Sequence, residues 1–145
     1  MIIRNMEEKD LNDVAILYES LSGKKSNIEN MANKFALINS NASYNVAVAE
    51  DSGKIVGTAM GIICHNMMAD LNSFLVIEAF IVDEAHRRQG IGKNILLYLE
   101  NKAKSCGCSY IILISGELRT DAHKLYTHLG YGKDNAKGFR KMLVS

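Results

Sequence analysis

Apolar residues recur along the chain with two different periods, and the changes between them mark out the elements. Over residues 7–21, Leu11, Val14, Tyr18 and Leu21 fall on one face of a helix, and Gly23 follows as a stop. Residues 27–38 repeat the pattern with Ile28, Met31, Phe35 and Ile38. The period then shortens to two. Residues 44–50 alternate, with Tyr44, Val46 and Val48 on one side; Asp51-Ser52-Gly53-Lys54 makes a hairpin turn, and 55–64 is a second, longer strand. Residues 65–73 form a polar loop that contains Met67 and Met68, and 74–82 is the most strand-like run of the sequence. Helical spacing returns over 90–104, where Gly92, Ile95, Leu96, Leu99 and Ala103 share a face and Gly107 marks the end. The continuous apolar run 110–115 predicts a strand buried on both faces. Residues 119–129 read as a helix ending at Gly130, and a pair of short strands is expected within 131–143. With 2–4 as a short first strand, the order is one strand, two helices, three strands, helix, strand, helix, strand. That is an α/β chain with a mostly antiparallel first half and a strand–helix–strand crossover after it.

Composition narrows the function classes. At 145 residues the chain has the length of one domain. Its 17 basic and 16 acidic side chains leave a net charge of +1, which argues against a dedicated nucleic-acid binder. No apolar run is long enough to span a bilayer, and residues 1–10 are too charged for a signal peptide. Cys64, Cys106 and Cys108 are too few and odd in number for a disulfide scaffold, and they fit a cytoplasmic protein. Cys106-Gly107-Cys108 lacks the two-residue gap of a zinc or redox pair, and His123 and His128 diverge around a helix, so no metal site is expected.

The sharpest chemical signal is the junction Val82-Asp83-Glu84-Ala85-His86-Arg87-Arg88-Gln89-Gly90-Ile91-Gly92-Lys93, between the best strand and an amphipathic helix. A helix start offers free backbone N–H groups and the positive end of a dipole, so it attracts phosphate. Gly90 and Gly92 let the backbone curl close to an anion, and Arg87, Arg88 and Lys93 add positive charge. A plain glycine turn with solvated arginines is the competing reading. A P-loop would need Gly and Ser or Thr where Arg87 and Asn94 stand, and the dinucleotide fingerprint would need a third glycine at Ile95.

With these residues the sequence resembles the GNAT family of N-acetyltransferases. Arg87-Arg88-Gln89-Gly90-Ile91-Gly92 matches the family's Gln/Arg-x-x-Gly-x-Gly/Ala acyl-CoA loop. Ile77-Glu78-Ala79-Phe80-Ile81-Val82-Asp83 resembles its fourth strand, and His123-Lys124-Leu125-Tyr126-Thr127-His128-Leu129-Gly130-Tyr131 its C-terminal helix signature, a Tyr four residues before Gly-aromatic. The element order agrees from residue 2 to 143. The resemblance implies a mixed, mostly antiparallel sheet whose fourth and fifth strands splay apart, flanked by about four helices, in a single domain over residues 1–145. It further implies acetyl-CoA as co-substrate. Backbone groups of Phe80, Ile81 and Val82 would bond the pantetheine arm, and the N–H groups of Arg87, Arg88, Gln89, Gly90, Ile91, Gly92 and Lys93 would hold the pyrophosphate. Tyr126 would touch the cofactor and donate a proton to its departing sulfur.

Acyl transfer needs a neutral amine, and an amine with a pKa near 10.4 is neutral only to about one part in a few thousand at pH 7. A general base therefore helps. Glu78 is the candidate, because strand alternation places Glu78, Phe80 and Val82 on one face; a structural ion pair with an arginine is the alternative. On the last helix Leu118, Ala122, Leu125 and Leu129 form an apolar stripe, beside a polar stripe of Arg119, His123 and Tyr126. Arg119 stands where many relatives carry Asn, and the segment from Arg119 to Tyr126 resembles the branch that includes aminoalkylphosphonate acetyltransferases. Arg119 could bind an anion or pair with Glu117 or Asp121, and His123 could relay protons, bond the phosphopantetheine or be structural. Acceptor choice is expected in the first two helices and the 65–73 loop.

These readings converge on a cytoplasmic enzyme that moves an acetyl group directly from acetyl-CoA to a primary amine of a small molecule, with no nucleic-acid or membrane partner. A catalytically idle acyl-CoA sensor and a protein-amine acetyltransferase are the competitors. Small members of the family often pair, so a homodimer is expected.

Overall fold

The computed structural model describes residues 1–70 and 72–144; Leu71, in the polar loop expected at 65–73, and Ser145 lie outside the described residues. Two compact units divide the chain, Met1–Ile112 and Leu113–Ser145. The elements run β1 (Ile2–Asn5), α1 (Leu11–Ser22), α2 (Ile28–Asn39), β2 (Tyr44–Asp51), β3 (Lys54–Cys64), β4 (Phe74–Val82), α3 (Ile91–Ser105), β5 (Tyr110–Leu113) and α4 (Thr120–His128). The strands form one sheet in the order β1-β2-β3-β4-β5. Its first four strands are antiparallel, and β5 follows β4 in parallel after the α3 crossover. The fold is a mixed, mostly antiparallel α/β sheet with four helices among the described residues.

Local chemistry explains the helix ends. Glu8–Asp10 is a 3-10 turn, so the first helix proper starts at Leu11. Gly23 closes α1 with φ +74°, and the Asn27 side chain caps α2 by accepting from Asn30 N at 3.0 Å. Asp10 is buried; Arg4 grips it with two bonds of 2.7 and 2.9 Å and reaches Glu50 at 2.9 Å. This ties the start of α1 to β1 and β2.

The sheet of the first unit is covered differently on its two faces. On one face Val46, Val48, Ile55 and Ile81 pack against Leu11, Val14 and Leu17 of α1, with Met60 and the α2 residues Met31 and Phe35 at the margin. On the other face the register brings Ala47 opposite Ala59 and Ala49 opposite Gly57, so β2 and β3 present small residues there. The bulk comes from α3, whose Ile91, Ile95, Leu96 and Leu99 are buried. A Cβ on Gly57 would sit 2.8 Å from Ile95 Cδ1 and 3.3 Å from Ile91 Cγ2, so the absence of a side chain lets α3 settle onto the sheet.

Three sequence expectations are corrected. The run 110–115 is not buried on both faces: β5 ends at Leu113 and is the outermost strand, and Tyr110, Ile112 and Ile114 are 41%, 47% and 47% exposed. An edge strand has a neighbour on one side only, which an apolar run cannot reveal. No strand forms within 131–143 among the described residues, where Phe139, Met142 and Leu143 are exposed. Leu118 precedes α4 and is 92% exposed, so it does not belong to that helix's apolar stripe. No helix among the described residues is long and apolar enough to cross a membrane.

Candidate active site

Strand β4 is bent at its middle. Glu78 pairs with Met60 and Ile81 with Thr58, so two β4 residues, Ala79 and Phe80, oppose Ala59 alone. This is a β-bulge, and Ala79 adopts φ +54° to make it. The extra residue inverts the alternation. Met60 and Thr58 share a face of β3, so their partners Glu78 and Ile81 share a face too, the one covered by α1 and α2. The expectation that Glu78, Phe80 and Val82 lie on one face is therefore corrected: Val82 pairs with Gly57 and belongs to the α3 side. Phe80 and Ile81 are buried, Val82 is half-buried and Glu78 is exposed. The Glu78 carboxylate makes no ion pair among the described residues, against the alternative of a structural pairing with arginine.

The segment after β4 forms a basic, open-handed loop. Asp83 N donates to Val56 O at 2.8 Å, a 3-10 turn covers Glu84–His86, and His86 Nδ1 lies 2.6 Å from Asp83 Oδ2. Arg87 Nε donates to the Val82 carbonyl at 3.1 Å. Arg88 and Gly90 then take φ +64° and +78°, alternating with Gln89 between them. Such alternation turns successive N–H groups into one concavity, a shape that binds anions. Gly90 occupies the N-cap of α3, and the helix's first backbone bond runs from Asn94 N to Gly90 O. The N–H groups of Arg88, Gln89, Gly90, Ile91, Gly92 and Lys93 make no hydrogen bond among the described residues. Arg87, Arg88 and Lys93 are exposed around them, while Ile91 is buried and Gly92 half-buried. A helix start, a nest and three cations meet here, which is the donor set a pyrophosphate requires.

Within the second unit, Tyr126 is the buried centre of a polar cluster on α4. Burial pushes its phenol above the ordinary tyrosine value, while the Arg119 guanidinium and the Ser115 hydroxyl pull it back. The phenol therefore keeps its proton at neutral pH and can donate it. His123 Nε2 lies 2.8 Å from the Gly116 carbonyl, so its Nε2–H braces the loop before α4. The spacing of the C-terminal signature has a local cause. Gly130 turns the chain at φ +99°, Tyr131 N returns a bond to Tyr126 O at 2.9 Å, and the Tyr131 ring meets the Tyr126 ring edge-on at 5.9 Å.

Of the sequence-predicted residues, Glu78, Phe80, Ile81, Val82 and the 87–93 loop lie on consecutive segments of the first unit, and Tyr126 lies in the second. Sequence reasoning missed Gly57 and the bulge at Ala79. Gly57 was readable as a glycine inside a strand, the usual sign of a close approach. Ala79 carried no signal, because alanine has no preference for positive φ.

The model of the acetyltransferase (GNAT) family matches residues 14–131, across both units, and the chain belongs to this family. Solved structures agree over nearly the whole length. An acetyltransferase from Trypanosoma brucei is 26% identical, with a TM-score of 0.79 over 99% of this chain and 98% of its own. Glucosamine-6-phosphate N-acetyltransferase from Arabidopsis thaliana is 24% identical, with a TM-score of 0.82 over 99% and 98%. An aminoglycoside N-acetyltransferase solved in complex with CoA is 18% identical, with a TM-score of 0.82 over 99% and 95%.

Proposed function

We propose that this acetyltransferase moves the acetyl group of acetyl-CoA directly onto a primary amine of a small molecule, with both units serving as one domain over residues 1–145. The observation that carries the reading is the run of N–H groups from Arg88 to Lys93 that have no partner among the described residues, on a segment with exposed Arg87, Arg88 and Lys93 that follows the strand bearing Glu78. The donor set suits a diphosphate, and the backbone of Phe80, Ile81 and Val82 suits an extended amide chain. When bound, acetyl-CoA supplies an activated acetyl thioester and a thiolate leaving group.

The chain's own residues then have separable tasks. Arg87, Arg88 and Lys93 neutralise phosphate charge, and the loop N–H groups fix its position. Glu78, exposed and without an ion-pair partner among the described residues, takes a proton from the acceptor ammonium, directly or through water, and so frees the nitrogen lone pair. Tyr126 holds a proton on its oxygen for delivery to the sulfur as the carbon–sulfur bond breaks. Burial keeps that proton in place across the neutral range.

The test is thermal unfolding with and without acetyl-CoA, with ATP and NAD as controls, followed by amine-dependent thiol release. A ligand at 100 times its dissociation constant adds roughly 2.7 kcal/mol of stability. A shift with acetyl-CoA alone and thiol release on adding an amine are expected. An equal shift with ATP would reduce the loop to a generic anion site and remove the reading's main support.

A further inference from the structure

The sheet face that carries Glu78 is unusual in its composition. Beyond Thr58, the β3 residues on it are Met60, Ile62 and Cys64; Cys64 pairs with Phe74 and Ile62 with Val76. The Phe74 and Tyr110 rings stack, with centroids 5.2 Å apart and planes within 5°, so Tyr110 of β5 faces the same side. Two residues further along each of these parallel strands stand Val76 and Ile112, and two beyond Val76 stands Glu78. Glu78 is the only charged side chain in this set. Tyr110 and Ile112 remain 41% and 47% exposed, and Phe74 and Val76 are half-buried. The helices of the first unit that cover this face pack over β2, β3 and Ile81 of β4, which leaves these residues open.

We infer that this strip is the acceptor subsite, and that it selects a primary amine whose nearest substituent is apolar and flat, an aralkylamine. The inference rests on the proposed transferase function, because it takes Glu78 as the group that meets the amine. Charge complementarity assigns the occupant. A single carboxylate suits one ammonium group. A phosphorylated amino sugar would need a cation on the strip, and a polycation would need further carboxylates. Successive residues on one face of a strand stand roughly 7 Å apart, so an amine at Glu78 places a group two or three carbons away over Val76 and Ile112, with the stacked rings beyond it. Apolar contact there favours a phenyl group over a hydroxyl by about tenfold or more.

The deciding experiment compares kcat/KM by thiol release for 2-phenylethylamine, ethanolamine, spermidine and glucosamine 6-phosphate at saturating acetyl-CoA. The expected order puts 2-phenylethylamine first, at least about tenfold ahead of ethanolamine. Tyr110→Lys should collapse that ratio by raising KM for 2-phenylethylamine, and the thermal shift given by acetyl-CoA should persist. Ile112→Ser gives the same readout with a smaller change and serves if the lysine variant fails to fold. Equal or better use of ethanolamine, spermidine or the sugar phosphate, with the acetyl-CoA shift intact, overturns the subsite and leaves the transferase reading standing. No acetyl-CoA shift and no thiol release with any amine overturns both.

Discussion

The contact between Gly57 and α3 offers a quantitative test of how the fold sets the loop proposed to hold the cofactor. In Gly57→Ala the new Cβ would lie 2.8 Å from Ile95 Cδ1 and 3.3 Å from Ile91 Cγ2, inside ordinary carbon–carbon contact. Ile95 is fully buried, so its end methyl has little room to withdraw. Overpacking of this kind costs about 1–3 kcal/mol, and the better strand backbone of alanine offsets about 0.5–1. The net loss should be about 1–2 kcal/mol, seen as a fall in Tm of about 3–8 °C. Ile95→Val removes the very methyl that the new Cβ meets, and alone costs about 0.5–1.5 kcal/mol. Combined, the two changes relieve each other. The double variant should lose about 1 kcal/mol less than the sum of the single losses, with some strain remaining at Ile91. Ile91 and Ile95 lie in the first two turns of α3, so Gly57→Ala should also reduce the stabilisation given by acetyl-CoA, and Ile95→Val should restore part of it. Urea unfolding of the four proteins, with and without acetyl-CoA, measures all of this. Additivity within about 0.3–0.5 kcal/mol would refute the claim that this close approach is what requires glycine.

Two other variants separate stability from function. Arg88 has φ +64°, so Arg88→Gly should raise stability by about 0.5–1 kcal/mol by relieving the left-handed backbone, yet weaken acetyl-CoA binding several-fold by removing a cation; calorimetry and urea unfolding should thus move in opposite directions. Tyr126→Phe should lower kcat by about 100-fold or more. Because burial raises the Tyr126 phenol in the folded state, its contribution to stability is complete below the ordinary tyrosine value near 10 and is lost as pH rises beyond it. The phenylalanine variant should lose less stability between pH 10 and 11 than the parent, as alkaline unfolding curves would show.

What could be read from the sequence divides along a physical line. Features set within a few residues were legible. Gly23 stops α1, Gly90 opens α3, and the Tyr126–Gly130–Tyr131 spacing closes on itself through one backbone bond and one ring contact. Features set by a neighbouring strand were not. The apolar run at 110–115 says nothing of where its strand lies in the sheet, and the β-forming residues of 131–143 say nothing of whether an edge is present to receive them. The bulge at Ala79 is the most consequential case, because a one-residue insertion reverses the facing of everything beyond it. Simple alternation picked Glu78 but gave it the wrong companions. Its true neighbours are Met60 and Ile81 along the sheet and Val76 behind it, while Val82 turns to the α3 side, where the chain continues into the basic segment 87–93. The bulge thereby lets one strand serve two faces. The Glu78 carboxylate is presented on the face covered by α1 and α2, and the strand's end is delivered to the start of α3 on the other.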